Sequence, residues 1–264
     1  MLGKQLLFAL IGTGATCLAT VLGAATVFFF KQEMSARLQR IFLGFAAGVM
    51  TAACVFSLLL PAMDQLEAEG KNILFPVGGG FLLGVLFLLL CDKLLPHMHI
   101  GSDKPEGLLA RMRRTTMLVL AVTLHNIPEG MAVGLTFAAA ATGSGTGALA
   151  GAIALAVGMG LQNLPEGAAV SLPLPSQGVS KGKAFLCGAL SGVVEPVFGL
   201  LAVLVASSIT WLMPWALSFA AGAMLYVVVE ELIPEAQLGE HSHAGTISVI
   251  AGFFIMMILD VMLG

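Results

Sequence analysis

Two nine-residue segments of the chain each place a carboxylate, an amide and a proline inside otherwise apolar sequence. The first reads His125-Asn126-Ile127-Pro128-Glu129-Gly130-Met131-Ala132-Val133, the second Gln162-Asn163-Leu164-Pro165-Glu166-Gly167-Ala168-Ala169-Val170. On a helix, His125 and Glu129 are four apart and lie one above the other, and Asn126 is three from Glu129. Asn163 and Glu166 repeat that relation, with Gln162 in the place of the histidine. Imidazole, carboxylate and amide oxygens on adjacent turns are donors that can grip one transition-metal ion. A third carboxylate, Glu195, lies in Ser191-Gly192-Val193-Val194-Glu195-Pro196, and Glu230 and Glu231 close a further apolar run. The competing reading is a buried histidine satisfied by its neighbours and protonated carboxyls bonding between helices. The solvent around these residues decides between the two.

That solvent is lipid. Of the 264 residues 58% are apolar and only 10% charged, and the mean hydropathy is +0.98; a soluble domain carries about 25% charged residues. A spanning helix needs about 20 mostly apolar residues. Eight such stretches are read, at 5–30, 38–62, 73–95, 115–140, 145–172, 184–207, 211–234 and 244–263. The expected fold is therefore an all-α integral membrane protein, one transmembrane domain over 1–264. The first stretch is too long for a signal-peptide core and has only Lys4 before it, so it is read as a membrane helix. Glu129, Glu166 and Glu195 fall well inside spans four, five and six, and no Lys or Arg lies between Arg114 and Lys181 or after Lys183. A charge at the bilayer centre costs about 2.5–3.5 kcal/mol even on the lenient insertion scale. Cations, protons or water must offset that cost, which favours the functional reading over the packing one.

Proline has no N–H to donate, so Pro128, Pro165 and Pro196 are expected to free the carbonyls of Leu124, Leu161 and Gly192 and to open the backbone beside the carboxylates. Gly130 and Gly167 allow close helix approach. The two motif copies sit on consecutive, hence antiparallel, spans. Equivalent motifs on antiparallel helices imply a pseudo-two-fold axis in the membrane plane, a transporter signature. Lys31, Arg37, Arg40, Lys93, Lys104, Arg111, Arg113, Arg114, Lys181 and Lys183 share one side, against Lys4 and Lys71 on the other. The positive-inside rule then places the odd loops in the cytoplasm and both termini outside. Cys17, Cys54, Cys91 and Cys187 form no Cys-x-x-Cys pair and read as small buried apolar residues.

The His-Asn-x-Pro-Glu-Gly of span four, the Asn-x-Pro-Glu-Gly of span five, the span-six glutamate and the eight spans together resemble the ZIP family of divalent-metal transporters, in its compact bacterial branch. The resemblance implies inverted repeats of spans 1–3 and 6–8 around spans 4 and 5, and a binuclear metal site. His125, Glu129 and Glu166 would hold a first ion with Met50 from span two. Asn126, Asn163, Glu166 and Glu195 would surround a second, with Glu129 shared. Asn163 stands where some relatives carry Asp, which weakens the case for a tightly held second ion. Ser57 matches a polar residue at the outer entrance, and Glu230 and Glu231 match positions linked to exit towards the cytoplasm. By the residues alone, Met50 and Ser57 read equally as packing. Gln162 is counted with the transport pathway.

The expected function is movement of a divalent transition metal into the cytoplasm across the cell membrane. Zinc leads; iron, manganese, cadmium and cobalt share the ligand chemistry. The ion is substrate, no cofactor is expected, and the partners are metal ions and the lipid bilayer, not nucleic acid. Relatives often form homodimers, and the sequence is compatible with that or with a monomer. An intramembrane metal-dependent hydrolase is the alternative in the enzyme class; one intramembrane histidine and no His-Glu-x-x-His speak against it. A proton-coupled carrier using the glutamates as a relay is the other. The pairs His97 with His99 and His241 with His243 fall in cytoplasmic loops, where they could capture a leaving ion or simply be solvated.

Overall fold

The computed structural model describes residues 1–30, 35–94, 114–142, 147–208, 210–237 and 243–263. All regular structure among them is helical. The helices are α1 (Leu2–Ala25), α2 (Ala36–Ala53), α3 (Leu60–Ala68), α4 (Leu74–Leu94), α5 (Arg114–Ala141), α6 (Ala148–Ser171), α7 (Lys181–Ser208), α8 (Met213–Val227), α9 (Ile233–Gln237) and α10 (Ala244–Leu263). α2 and α3 are joined end to end by a π-helical segment, Cys54–Leu59, and α8 and α9 by another, Val228–Leu232. Each read span thus has its long helix. Among the described residues, seven helical stretches are long and apolar enough to cross a membrane. The remaining long helix, α5, has 28 residues and carries His125, Asn126 and Glu129.

Local chemistry sets several boundaries. Ser35 Oγ accepts the N–H of Leu38 at 3.3 Å and starts α2. Asn72 Oδ1 accepts that of Phe75 at 2.9 Å and starts α4. Gly178, at φ +84°, turns the chain between α6 and α7, a conformation that disfavours any side chain. Lys181 Nζ donates to the carbonyls of Phe28 and Phe30 at 3.4 and 3.2 Å, which ties the start of α7 to the end of α1.

The surface is the apolar part. Leu7, Leu10, Ile11, Leu18 and Leu22 of α1 and Leu82, Leu83, Leu86 and Leu90 of α4 all point outward, as lipid contact allows. The interior is built from Ala, Val, Leu and Gly with some Met and Thr, and with polar side chains among them. Of the seven stretches, α4 and α10 are the most peripheral, and α2–α3 and α8–α9 the most enclosed.

Helix pairing has an internal correspondence. The closest pairs are α2 with α10, α1 with α6, α5 with α7, and α4 with α8, followed by α1 with α7. Exchanging α1 with α7, α2 with α8, α4 with α10 and α5 with α6 maps these pairs onto one another. The glycines at the crossings obey the same exchange. A Cβ at Gly48 would overlap the backbone of Val249, and one at Gly252 that of Phe45; likewise Gly222 meets Phe81, and Gly84 meets Phe219. So do the π segments, which end just before Pro61 and Pro234. A proline ring clashes with the carbonyl four residues back and cannot donate to it, and a π turn is one way to absorb that clash.

The motif prolines do not interrupt their helices. α5, α6 and α7 run through Pro128, Pro165 and Pro196 as continuous helix. The irregular backbone lies instead on the α2–α3 and α8–α9 lines, which flank the site.

The crossings generate a first prediction. Gly222→Leu puts a side chain into the backbone of α4 and should lower the thermal midpoint in detergent by at least about 5 °C, as overpacking of about 1–3 kcal/mol or more implies. Size-exclusion chromatography after a heating series reads this, and an unchanged midpoint would show that α4 and α8 are free to separate.

Candidate metal pathway

Helices α2, α5, α6 and α8–α9 enclose a cavity of about 50 Å³. It runs from Gln39, near the start of α2, and Glu235, near the end of α9, inward to Met50 and Glu129. His125, Gln162, Glu166 and Glu231 also line it. Four residues expected around a first ion, His125, Glu129, Glu166 and Met50, therefore share one wall. Beyond Met50 the bundle is packed with apolar side chains, including Ala53, Cys54, Ala132, Leu155, Met159 and Met224.

The side chains in it already have partners. His125 Nε2 lies 2.7 Å from Glu231 Oε1, and Gln162 Nε2 donates to Glu129 Oε1 at 2.7 Å. Both motif positions are deeply buried, His125 at 8% and Glu129 at 2% exposure. Among the described residues, no three His, Cys, Asp or Glu side chains are arranged to hold a metal ion as they stand. His125, Glu129, Glu166 and Met50 are brought together as lining of the same cavity. Gln162 caps one oxygen of Glu129, and Glu231 occupies the imidazole.

A second polar cluster lies beside the cavity and does not line it. Asn126, Asn163 and Glu195 are all fully buried. Asn126 Nδ2 donates to the Ser191 carbonyl at 2.9 Å, which links α5 to α7. Asn163 Nδ2 donates to Glu195 Oε1 at 3.0 Å, linking α6 to α7, and to the Thr16 carbonyl at 3.4 Å. Gly130 packs on the backbone of Glu195 and Gly167 on that of Thr20, at distances that no Cβ would permit. The motif glycines are thus what brings α5 and α6 onto α7 and α1 at the level of the carboxylates.

The donor inventory leaves a surplus of acceptors. Among the described residues, Asn126 Oδ1, Glu129 Oε2, Gln162 Oε1, Asn163 Oδ1, Glu166 Oε1 and Glu195 Oε2 are buried without a hydrogen-bond partner. Native structures leave few such atoms, and each costs about 1–3 kcal/mol. A row of bare oxygens, three of them on carboxylates, is suited to a cation.

The other expected residues fall in varied places. Glu231 is buried at the cavity, but its neighbour Glu230 is exposed away from it. Ser57 is buried within the first π segment and donates to Asp260 Oδ1 at 2.8 Å. His97, His99 and His241 lie outside the described residues, and His243 is exposed. Sequence reasoning did not assign Thr16, Thr20, Gln39, Glu235 or Asp260 to the path. Glu235 follows Glu231 by four residues and could have been found by that spacing, whereas the threonines carry no signal in sequence.

The bare oxygens generate a second prediction. Glu166→Gln removes a buried charge without changing shape and should raise the thermal midpoint in chelator-containing buffer by about 2–4 °C, equivalent to about 1 kcal/mol. A fall in midpoint would mean that the ionised carboxylate is already satisfied.

Comparison with known proteins agrees with the chemistry. The model of the ZIP zinc transporter family matches residues 99–260. "Zinc transporter ZIPB" of Bordetella bronchiseptica is 40% identical over 262 residues, covering 97% of this chain and 82% of that one. "Zinc transporter GufA" of Myxococcus xanthus is 39% identical over 251 residues, 93% and 95% of the two chains. "Zinc transporter ZIP11" of Homo sapiens is 39% identical across 97% of each.

Proposed function

This chain belongs to the ZIP family of zinc transporters, which are transporters and not enzymes, and we propose that it admits zinc to the cytoplasm through the His/Glu/Asn site between α5, α6 and α7. The observation that carries this reading is the set of buried, unpartnered oxygens on the two motif helices, together with a histidine on the same wall. Zinc takes imidazole and carboxylate ligands, and iron, manganese, cadmium and cobalt are further candidates for the same donors. The zinc transporters named above support zinc as the leading substrate.

The proposed ligands of the first ion are His125, Glu129 and Glu166, with Met50 as a soft contact. Binding requires that His125 exchange Glu231 for the ion, whereas Glu129 can offer its free Oε2 while Gln162 holds the other oxygen. The exchange at His125 is of one contact, so the site can bind and let go, as transport demands. Asn126, Asn163 and Glu195 form a second, weaker station sharing Glu129 or Glu166; with Asn at 163 it carries one formal charge of its own. Glu231 and then Glu235 lead towards the mouth at Gln39. In the orientation set by the basic residues that mouth faces the cytoplasm and both termini lie outside the cell membrane. The arrangement is then the inward-facing one, closed on the outer side by the packing beyond Met50. Ser57, held by Asp260, sits on that outer side. Glu230, being exposed, is left without a direct role. The exchange symmetry of the helix pairs, glycines and π segments supports inverted repeats around α5 and α6, with residues 1–264 as one transmembrane domain. A homodimer and capture of the leaving ion by His97, His99, His241 and His243 remain proposals drawn from sequence.

Uptake into proteoliposomes containing a zinc-sensitive dye tests the site. Wild type should admit zinc, and His125→Ala and Glu166→Ala should each reduce the rate by at least about 100-fold while eluting as folded protein, because each removes one of few ligands. Well-folded wild type that admits no zinc, iron, manganese or cadmium would overturn the reading.

Metal ligands bind deprotonated, so protons compete with the ion. Initial uptake at subsaturating zinc should fall by about 10-fold or more between about pH 7.5 and pH 5.5. A flat profile would remove His125 and the glutamates from control of the rate.

A further inference from the structure

The second polar cluster has a contributor on α1, a helix that holds none of the motif residues. Thr20 Oγ1 donates to Glu195 Oε1 at 3.1 Å. The same oxygen accepts Asn163 Nδ2 at 3.0 Å, and Glu195 Oε2 has no partner among the described residues. Thr20 is fully buried and tightly seated. Its carbonyl lies against Gly167 of α6, and a Cβ on Gly192 of α7 would come within 2.8 Å of its own Cβ. The side chain of a β-branched residue is stiff at χ1, and here it is also pressed from the α7 side. The hydroxyl has one proton to give, and its other acceptor, the Thr16 carbonyl, is further away at 3.5 Å.

We propose that Thr20 is a positioning residue for the ion path. It clamps one oxygen of Glu195 and so dictates that the other oxygen is the one offered to a divalent cation. The reading rests on the transport function above. Two donors on a single oxygen, with the Thr16 hydroxyl also beside the carboxylate, hold its orientation; without the Thr20 hydroxyl that oxygen keeps one close donor and the carboxylate is freer to turn. Hydrogen bonds to charged groups are directional and strong, so removing the hydroxyl should weaken ion capture more than it weakens the helix packing. The assignment also gives the glycines at 167 and 192 a purpose beyond close approach, because any side chain there would push Thr20 off Glu195.

The test is zinc uptake by proteoliposomes, with zinc binding to the purified protein measured in parallel by equilibrium dialysis, on wild type, Thr20→Val and Thr20→Ser. Valine keeps the shape and loses the donor; serine keeps the donor. Thr20→Val should raise KM and the dissociation constant by about 5- to 20-fold with maximal rate within about twofold, the loss of one hydrogen bond to a charged group shared with a second donor. Thr20→Ser should restore both to within about twofold of wild type, and the thermal midpoints of all three should agree within about 2 °C. If Thr20→Val does not fold, Thr20→Ala is read in its place. Wild-type behaviour of Thr20→Val overturns the proposal. So does a loss that serine fails to mend, or one that follows a falling thermal midpoint, since either assigns Thr20 to packing. Wild type that binds zinc without transporting it overturns the transport reading while the dialysis still decides on Thr20. Wild type that does neither overturns both.

Discussion

Carboxylates held in a low-dielectric interior without a basic side chain in their own spans are the constraint around which the rest of this molecule is arranged. Glu129, Glu166 and Glu195 lie in the middle of apolar helices, between Arg114 and Lys181 or beyond Lys183. Neighbouring donors are turned on them. Gln162 serves Glu129, and Asn163 and Thr20 serve a single oxygen of Glu195. The donors are too few, and the oxygens left over are the physical basis of the cation affinity proposed above. A fully satisfied cluster would be more stable and would have nothing to offer an ion. That is the usual trade between stability and function at a site.

Bringing those donors into reach depends on backbones that nearly touch. Gly130 on Glu195 and Gly167 on Thr20 set the α5–α7 and α6–α1 distances. In lipid there is little hydrophobic drive between helices, so van der Waals contact at small residues and buried polar bonds hold the bundle. The same few glycines thus contribute to both stability and site geometry. The two π segments lie on the enclosed α2–α3 and α8–α9 lines, and the second of them carries Glu231 against His125. Local π geometry is frequent at functional positions, and here it turns Glu231 inward and leaves Glu230 outside.

Much of the architecture was legible in sequence. Long apolar runs fix the existence of the helices, because in lipid every backbone polar group must be satisfied within its own segment. The repeated Asn-x-Pro-Glu-Gly marked α5 and α6 as the pair that carries the candidate site, since carboxylates without basic partners are costly in lipid. Met50, a residue that packing could equally account for, does line the cavity with His125, Glu129 and Glu166. The motif prolines were poor guides to the backbone. Pro128, Pro165 and Pro196 have the pattern of breaks, yet α5, α6 and α7 are continuous there. The irregular backbone forms ahead of Pro61 and Pro234 instead.

The sequence by itself determined which side chains carry chemistry, because residue type and helical spacing are local properties and the cost of charge in lipid is severe enough to single them out. Only the tertiary structure decided how those side chains divide. Met50, His125, Glu129 and Glu166 share a cavity, whereas Asn126, Asn163 and Glu195 form a closed cluster beside it. It alone brought in the α1 threonines, set Glu231 on His125, and separated Glu231 from Glu230. Those outcomes rest on contacts between helices far apart in sequence, such as Thr20 with Glu195, and on helix rotations set by glycine crossings and π turns. A periodic pattern along one helix contains no information about which face of another helix it will meet.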